Sequence, residues 1–158
     1  MAIIGIVAVG RNGAIGKGGK LPWHYSSDMK FFKQTTTDHA CVMGWNTWLT
    51  LKGPLKNRLN IVLTRKHDIE ENSSVVVMRD IDSVIALNST LTSDLFVIGG
   101  ANVYSEFLPY IDKWIVTNVP VTVEGADAFI PSNYLEGFHQ IGMKELGEGL
   151  VVRYYERK

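Results

Sequence analysis

Short runs rich in Val, Ile and aromatic residues recur at positions 3–9, 40–43, 60–64, 74–78, 95–98, 114–119, 140–144 and 150–156. Each is flanked by Gly, Asp, Asn or Lys, the pattern of short buried strands. Helical stretches at 27–36, 46–51, 82–88 and 102–110 separate the earlier runs. A strand followed by a helix and a second strand favours a crossover connection and parallel pairing. After Asp112 the chain reads almost entirely as strand, with Gly147-Glu148-Gly149 composed as a tight hairpin turn. This order predicts an α/β fold with a mixed central sheet, antiparallel at its C-terminal end, in one domain over residues 1–158. No internal repeat, low-complexity tract or linker interrupts it.

Bulk properties narrow the roles open to such a fold. Lys and Arg total 16 against 16 Asp and Glu, so no net field draws the chain to nucleic acid or an anionic membrane. Residues 1–9 are too short to span a bilayer and lack the basic flank and cleavage site of a secretory signal. The one cysteine, Cys41, lies in the apolar run Ala40-Cys41-Val42-Met43 and reads as a small buried hydrophobe. With no internal disulfide available, a cytoplasmic protein is expected. His24, His39, His67 and His139 show no ligand spacing, so no metal is expected and each reads as a surface or loop side chain.

Neither G-x-G-x-x-G nor G-x-x-x-x-G-K-[ST] occurs, but three strand ends carry groups suited to an anion. Val97-Ile98-Gly99-Gly100-Ala101-Asn102 runs from a strand through two glycines into a helix. The backbone there can approach a ligand closely, although a tight turn alone would use the same residues. Gly44-Trp45-Asn46-Thr47 repeats the arrangement, and Thr64-Arg65-Lys66 ends a third strand with a hydroxyl and two cations. Together they suggest one phosphate-rich ligand lying across neighbouring strands, as open α/β sheets bind them.

The segment Leu21-Pro22-Trp23-His24-Tyr25-Ser26-Ser27-Asp28-Met29-Lys30-Phe31-Phe32 follows a glycine-dense stretch, 10–20, that reads as a mobile loop. Serines open its helix as candidate caps. Asp28 in the first turn is favoured by the helix dipole, which is one reading of it. The other is that Asp28 shares a face with Phe32 and Thr36, so an acid stands where apolar side chains should be buried. Such a carboxylate has a raised pKa and seeks an N–H-bearing or cationic partner.

Four blocks stand in one order: Leu21-Pro22-Trp23 with Asp28 five residues on, Met43-Gly44-x-x-Thr47-Trp48, Gly53-Pro54-Leu55-x-x-Arg58-x-Asn60, and Val97-Ile98-Gly99-Gly100-x-x-Val103-Tyr104. In this order they resemble the dihydrofolate reductase family, in its bacterial chromosomal-type, single-domain form, from Ile3 to about Tyr155. The resemblance implies an eight-stranded, mostly parallel sheet with an antiparallel C-terminal edge, flanked by four helices. It implies an NADPH-dependent oxidoreductase that reduces 7,8-dihydrofolate to 5,6,7,8-tetrahydrofolate for one-carbon metabolism and thymidylate, purine and methionine synthesis. It also implies a monomer that binds antifolates such as methotrexate and diaminopyrimidines.

By the same resemblance, Asp28 accepts from the ring N–H and 2-amino group of the pterin, supported by Trp23 and Thr117, partly through water. Ile6, Val7, Met29, Phe32, Leu51, Leu55 and Ile98 form the apolar walls. Arg58 pairs with the glutamate α-carboxylate, a bidentate task suited to guanidinium. Ala8, Ile15, Gly16, Lys20 and the loop residue Leu21 line the nicotinamide side, with Tyr104 near the nicotinamide and among the substrate-binding residues too. Gly44, Asn46, Thr47, Gly99, Gly100, Ala101, Asn102 and Val103 hold the pyrophosphate region. Leu63, Thr64, Arg65, Lys66 and Arg79 meet the adenosine 2′-phosphate. Hydride passes from the cofactor C4 to the pterin C6. Asp28 orients and polarises the ring, and a loop-gated water protonates N5.

The chain departs from the family pattern in three places. Trp45 stands where the family has Arg beside the phosphates, a loss of about 1–3 kcal/mol unless the indole stacks on the adenine. Ala126 is an extra residue before Asp127, and Glu145–Gly149 makes a short connection between the last two strands. Lys52-Gly53 lacks a second arginine near the glutamate tail. Two rival readings are a reductase of the same fold acting on a pyrimidine of flavin synthesis and an idle folate-binding protein. Arg58 and Asp28 argue against the first, and intact Asp28, Trp23 and Gly99-Gly100 against the second.

Overall fold

The computed structural model describes residues 1–158. In chain order the elements are β1 (Ile3–Val9), β2 (Ala14–Gly16), α1 (Ser26–Thr36), β3 (Ala40–Gly44), α2 (Trp45–Thr50), β4 (Leu59–Leu63) and β5 (Val75–Met78). There follow α3 (Ile81–Asn88), β6 (Leu95–Val97), α4 (Ala101–Phe107), β7 (Lys113–Asn118), β8 (Ala128–Phe129), β9 (Phe138–Gly147) and β10 (Leu150–Arg157). Eight strands form one sheet in the order β5-β4-β3-β6-β1-β7-β10-β9. Those from β5 to β7 are parallel, and β10 runs antiparallel to both β7 and β9. The expected α/β sheet and its antiparallel edge are present.

The pleat sorts β1 between two cores. Ile4 and Ile6 join Phe31, Met43, Val62 and Phe96 under α1, and Ile3, Val7 and Val9 join Tyr104, Phe107 and Trp114 under α4. Trp114 and Phe107 are fully buried, each contributing on the order of 1.5–3 kcal/mol. Gly5 is fixed by that packing, since a Cβ there would lie 2.4 Å from the Trp114 ring.

Several expectations need correction. The glycine-dense stretch 10–20 is not all loop: β2 pairs with β8 in a separate two-stranded ribbon. Strands of three and two residues are too short to show a period of two. The serines do not cap α1. Its N-cap is Tyr25, which makes no side-chain cap bond, and Ser27 sits inside the first turn. The stretch 102–110 is not one helix, because α4 ends at Phe107 and a 3-10 turn, Leu108–Tyr110, follows. Pro109 lacks the N–H that another α-helical turn needs. β9 reaches Gly147, so the connection to β10 shrinks to the turn Glu148-Gly149, both at positive φ (57° and 80°), as a two-residue hairpin requires. No helix is long and apolar enough to cross a membrane.

Candidate active site

Because the central strands are parallel and in register, their C-terminal ends reach one rim together. Gly44 pairs with Leu63, Val97 with both Val42 and Gly5, and Ala8 with Thr117. The predicted substrate residues gather on the α1 side of this rim. Ile6 belongs to the α1-side core, and Phe32, Leu51, Leu55 and Ile98 pack against it. Thr117, buried, stands beside Ala8 and Val152. Met29 (56% exposed) and Leu21 (57% exposed) are open to solvent. Val7 departs from expectation: the strand alternation turns its side chain into the α4-side core, away from α1. Ile15 packs against that same core.

Asp28 projects from the first turn of α1. Desolvation raises its pKa above the ordinary carboxylate value, and no neighbouring charge or hydrogen bond opposes the shift. The same region holds two more unsatisfied groups, Trp23 Nε1 and Ser27 Oγ, both buried without partners. A buried orphan donor costs about 1–3 kcal/mol, so the arrangement is suited to a ligand or water that supplies what is missing. In the sequence Ser27 stands at a helix start, where a serine is more often a cap than a ligand donor.

Arg58 stands at the far end of the same helix face. It is buried, donating from Nε to Lys56 O (2.8 Å) and from Nη1 to Thr36 Oγ1 (3.1 Å). Thr36 lies eight residues after Asp28, about 12 Å along α1 at 1.5 Å per residue. The turn carrying Arg58 is braced by Asn60, fully buried. Its side chain accepts from Leu55 N (2.8 Å) and donates to Leu55 O, Arg58 O and Ser74 O. The motif contained Asn60, but a brace between residues brought together by the turn leaves no local pattern.

The glycine-lined strand ends meet as expected. Gly44 N donates to Gly99 O (2.9 Å), and a Cβ on Gly44 would lie 2.9 Å from Val103 Cγ2. Gly99 and Gly100 are joined by a cis peptide. A Cβ on Gly100 would meet nothing nearer than Thr47 Oγ1 at 3.9 Å, so this backbone is accessible. Ala101, Val103 and the exposed Asn102 begin α4, and Asn46 is exposed on α2. Tyr104 lies beneath Gly99 rather than in the open cleft. It is buried, its hydroxyl donates to Ile6 O (2.7 Å), and burial raises its pKa.

At the rim beyond β4, Thr64 is buried and Arg65 and Lys66 are exposed. Trp45 does not stand free: its indole stacks on His67 with centroids 4.1 Å apart and planes 7° from parallel. Arg79 is already committed, donating to Thr64 O and His67 O and pairing with Asp68. The closing segment is held by the ribbon. Gly18 N donates to Asp127 Oδ2 (2.9 Å), Lys17 bridges to Lys20, and Gly16 packs tightly on Ala128.

Glycine-lined strand ends beside apolar side chains bounded by Asp28 and Arg58 define an open-sheet α/β protein suited to hold a dinucleotide next to a small ligand. The sequence matches the dihydrofolate reductase family model over residues 2–150. Dihydrofolate reductase of Ureaplasma parvum is 33% identical over 148 residues, covering 93% of this chain and 92% of that protein. A dihydrofolate reductase from Enterococcus faecalis, complexed with NADP(H) and RAB-propyl, aligns with a TM-score of 0.89 at 30% identity, covering 99% of this chain and 96% of that one. Segregation and condensation protein A of Mycoplasmoides gallisepticum is 33% identical over 147 residues, but this chain spans only 24% of its length. The chain belongs to the dihydrofolate reductase family.

Proposed function

We propose that this protein reduces 7,8-dihydrofolate to tetrahydrofolate with NADPH, acting as a cytoplasmic monomer with residues 1–158 as one domain. The observation that carries the reading is the pair of groups at the two ends of α1. An unpaired acid, Asp28, opens α1, and a buried cation, Arg58, is hydrogen-bonded to Thr36 at its other end, about 12 Å further along the helix axis. A ligand that satisfies both presents N–H donors at one end and a carboxylate at the other, with an apolar body between them. Dihydrofolate has that shape, and antifolates that keep the donor edge, such as methotrexate and diaminopyrimidines, fit the Asp28 end.

In this reading Asp28 accepts from the pterin ring N–H and 2-amino group, fixing the ring against Ile6, Phe32 and Ile98. Trp23 Nε1 and Thr117 hold a water on the same edge. Arg58 holds the glutamate carboxylate, and Leu51 and Leu55 cover the linker between. The residues on the cofactor side fit a dinucleotide. Gly100 is accessible for a pyrophosphate, Thr47 supplies a hydroxyl beside it, and Arg65 and Lys66 supply cations for a 2′-phosphate. When bound, NADPH supplies the hydride. The chain supplies orientation and exclusion of water, with Ala8 and Leu21 bordering the reacting face. Asp28 lies on the amino edge of the ring, so it orients and polarises while water delivers the N5 proton.

The test is NADPH consumption with dihydrofolate beside a ribosylaminopyrimidine. Turnover with dihydrofolate alone is expected; turnover with the pyrimidine alone would assign the chain to flavin synthesis instead.

A further inference from the structure

The stack of Trp45 on His67 joins two segments that the parallel pairing of β3 and β4 brings to one rim. Resting on the NADPH reading above, we infer that His67 is a cofactor-specificity residue, a titratable cation for the adenosine 2′-phosphate, with Trp45 holding it in place.

The surroundings of His67 argue for an anion there. Ion pairs in this protein are Arg79 with Asp68 and His139 with Glu156, so Arg65 and Lys66 have no acidic partner. The backbone N–H of His67 donates to Thr64 Oγ1 (3.4 Å) and its carbonyl accepts from Arg79 (2.7 Å), which fixes the segment on both sides. Both bonds use backbone groups. The charged groups of its own segment are Arg65, Lys66, Asp68, Glu70 and Glu71, the last accepting from Val77 N, and Arg79 and Asp80 follow β5. Asp68 is taken by Arg79, and Asp80 accepts from Ser83 N. α2, on which the ring rests, carries no charge (Trp45-Asn46-Thr47-Trp48-Leu49-Thr50). The stack leaves the imidazole flat against an indole face, a surface on which a cation can rest.

Histidine changes charge between about pH 5 and 8. NADPH should therefore lose its advantage over NADH as the pH rises. A third cation beside a phosphate at a half-exposed site is worth about 5- to 10-fold in affinity. NADH lacks the phosphate and serves as an internal control.

Dissociation constants of NADPH and NADH are measured by calorimetry between pH 6.5 and 8.5, where a phosphate monoester is mainly dianionic, its second pKa being about 6. For the unmodified chain, the ratio of NADH to NADPH constants is expected to fall about 3- to 5-fold across that range. His67→Gln should give a low, flat ratio, and His67→Lys a high, flat one. A flat ratio in the unmodified chain, or an unchanged slope in His67→Gln, would overturn the assignment. Turnover of dihydrofolate by the unmodified chain is followed in parallel. If it persists while the ratio is flat, only the His67 assignment fails; its absence with both cofactors would refute the reductase reading and the assignment with it.

Discussion

Replacing Asp28 with Asn should damage activity and strengthen the fold at once. The side chain is nearly isosteric, but the acceptor-only carboxylate becomes an amide with one acceptor and one donor. Facing two N–H groups of a pterin, Asn keeps one hydrogen bond and loses the other. The lost charge-assisted bond is worth ~1.5–3 kcal/mol, and the surviving one weakens by ~1 kcal/mol on becoming neutral. A total of ~2.5–4 kcal/mol corresponds to roughly 10²–10³-fold in kcat/KM. The stability effect has the opposite sign. Burial raises the folded-state pKa of Asp28 above its unfolded value, so the native state holds that proton more tightly. Its contribution to stability is complete below the unfolded pKa and is lost as pH rises through the folded value. Above that range the native state carries the cost of a desolvated, unpaired acid, which Asn removes. A higher Tm than that of the unmodified chain is therefore expected in the ligand-free protein. The assays are initial-rate NADPH oxidation at pH 7 and thermal unfolding by circular dichroism. The gain in Tm should vanish near pH 3, and activity should recover partly at low pH, where the substrate takes up its own proton. Activity within about threefold of the unmodified chain, or a fall in Tm at pH 7, would refute the reasoning.

Arg58→Gln should raise KM for dihydrofolate by about 10- to 100-fold. It should leave a tail-less dihydropterin nearly unaffected; equal losses for both substrates would mean that Arg58 only holds the turn at Lys56 and Thr36. Gly5→Ala places a methyl group against the fully buried Trp114 and should lower stability by about 1–3 kcal/mol, measured by urea unfolding. Asp127→Ala removes the acceptor for Gly18 N. It should speed amide exchange at Gly18 while leaving exchange in the central sheet unchanged.

The parallel core was legible because its strands are dominated by β-branched and apolar residues, as in Ile3–Val9 and Leu95–Val97. The β2–β8 ribbon was not, since its pairing joins residues more than a hundred positions apart and neither piece is long enough to alternate. Asp28 was visible as an acid on an apolar face, because a helix converts spacing into a surface. The contact between Arg58 and Thr36, the bond from Asn60 to Ser74 and the stack of Trp45 on His67 join separate segments, which local spacing does not encode. Val7 shows the related limit. Membership of a motif placed it at the site, whereas the pleat turned its side chain to the other core. Arg79 was expected to be available and is instead occupied by two carbonyls and Asp68, a competition between neighbours that composition does not reveal.

The central claim is a hydride transfer from cofactor to pterin in the cleft between α1 and the glycine-lined strand ends. NADPH deuterated at C4, on the face it presents to the substrate, and dihydrofolate should give tetrahydrofolate bearing one deuterium at C6, read by mass spectrometry and proton NMR. Tetrahydrofolate without the label, or cofactor oxidation with no tetrahydrofolate formed, would contradict the account.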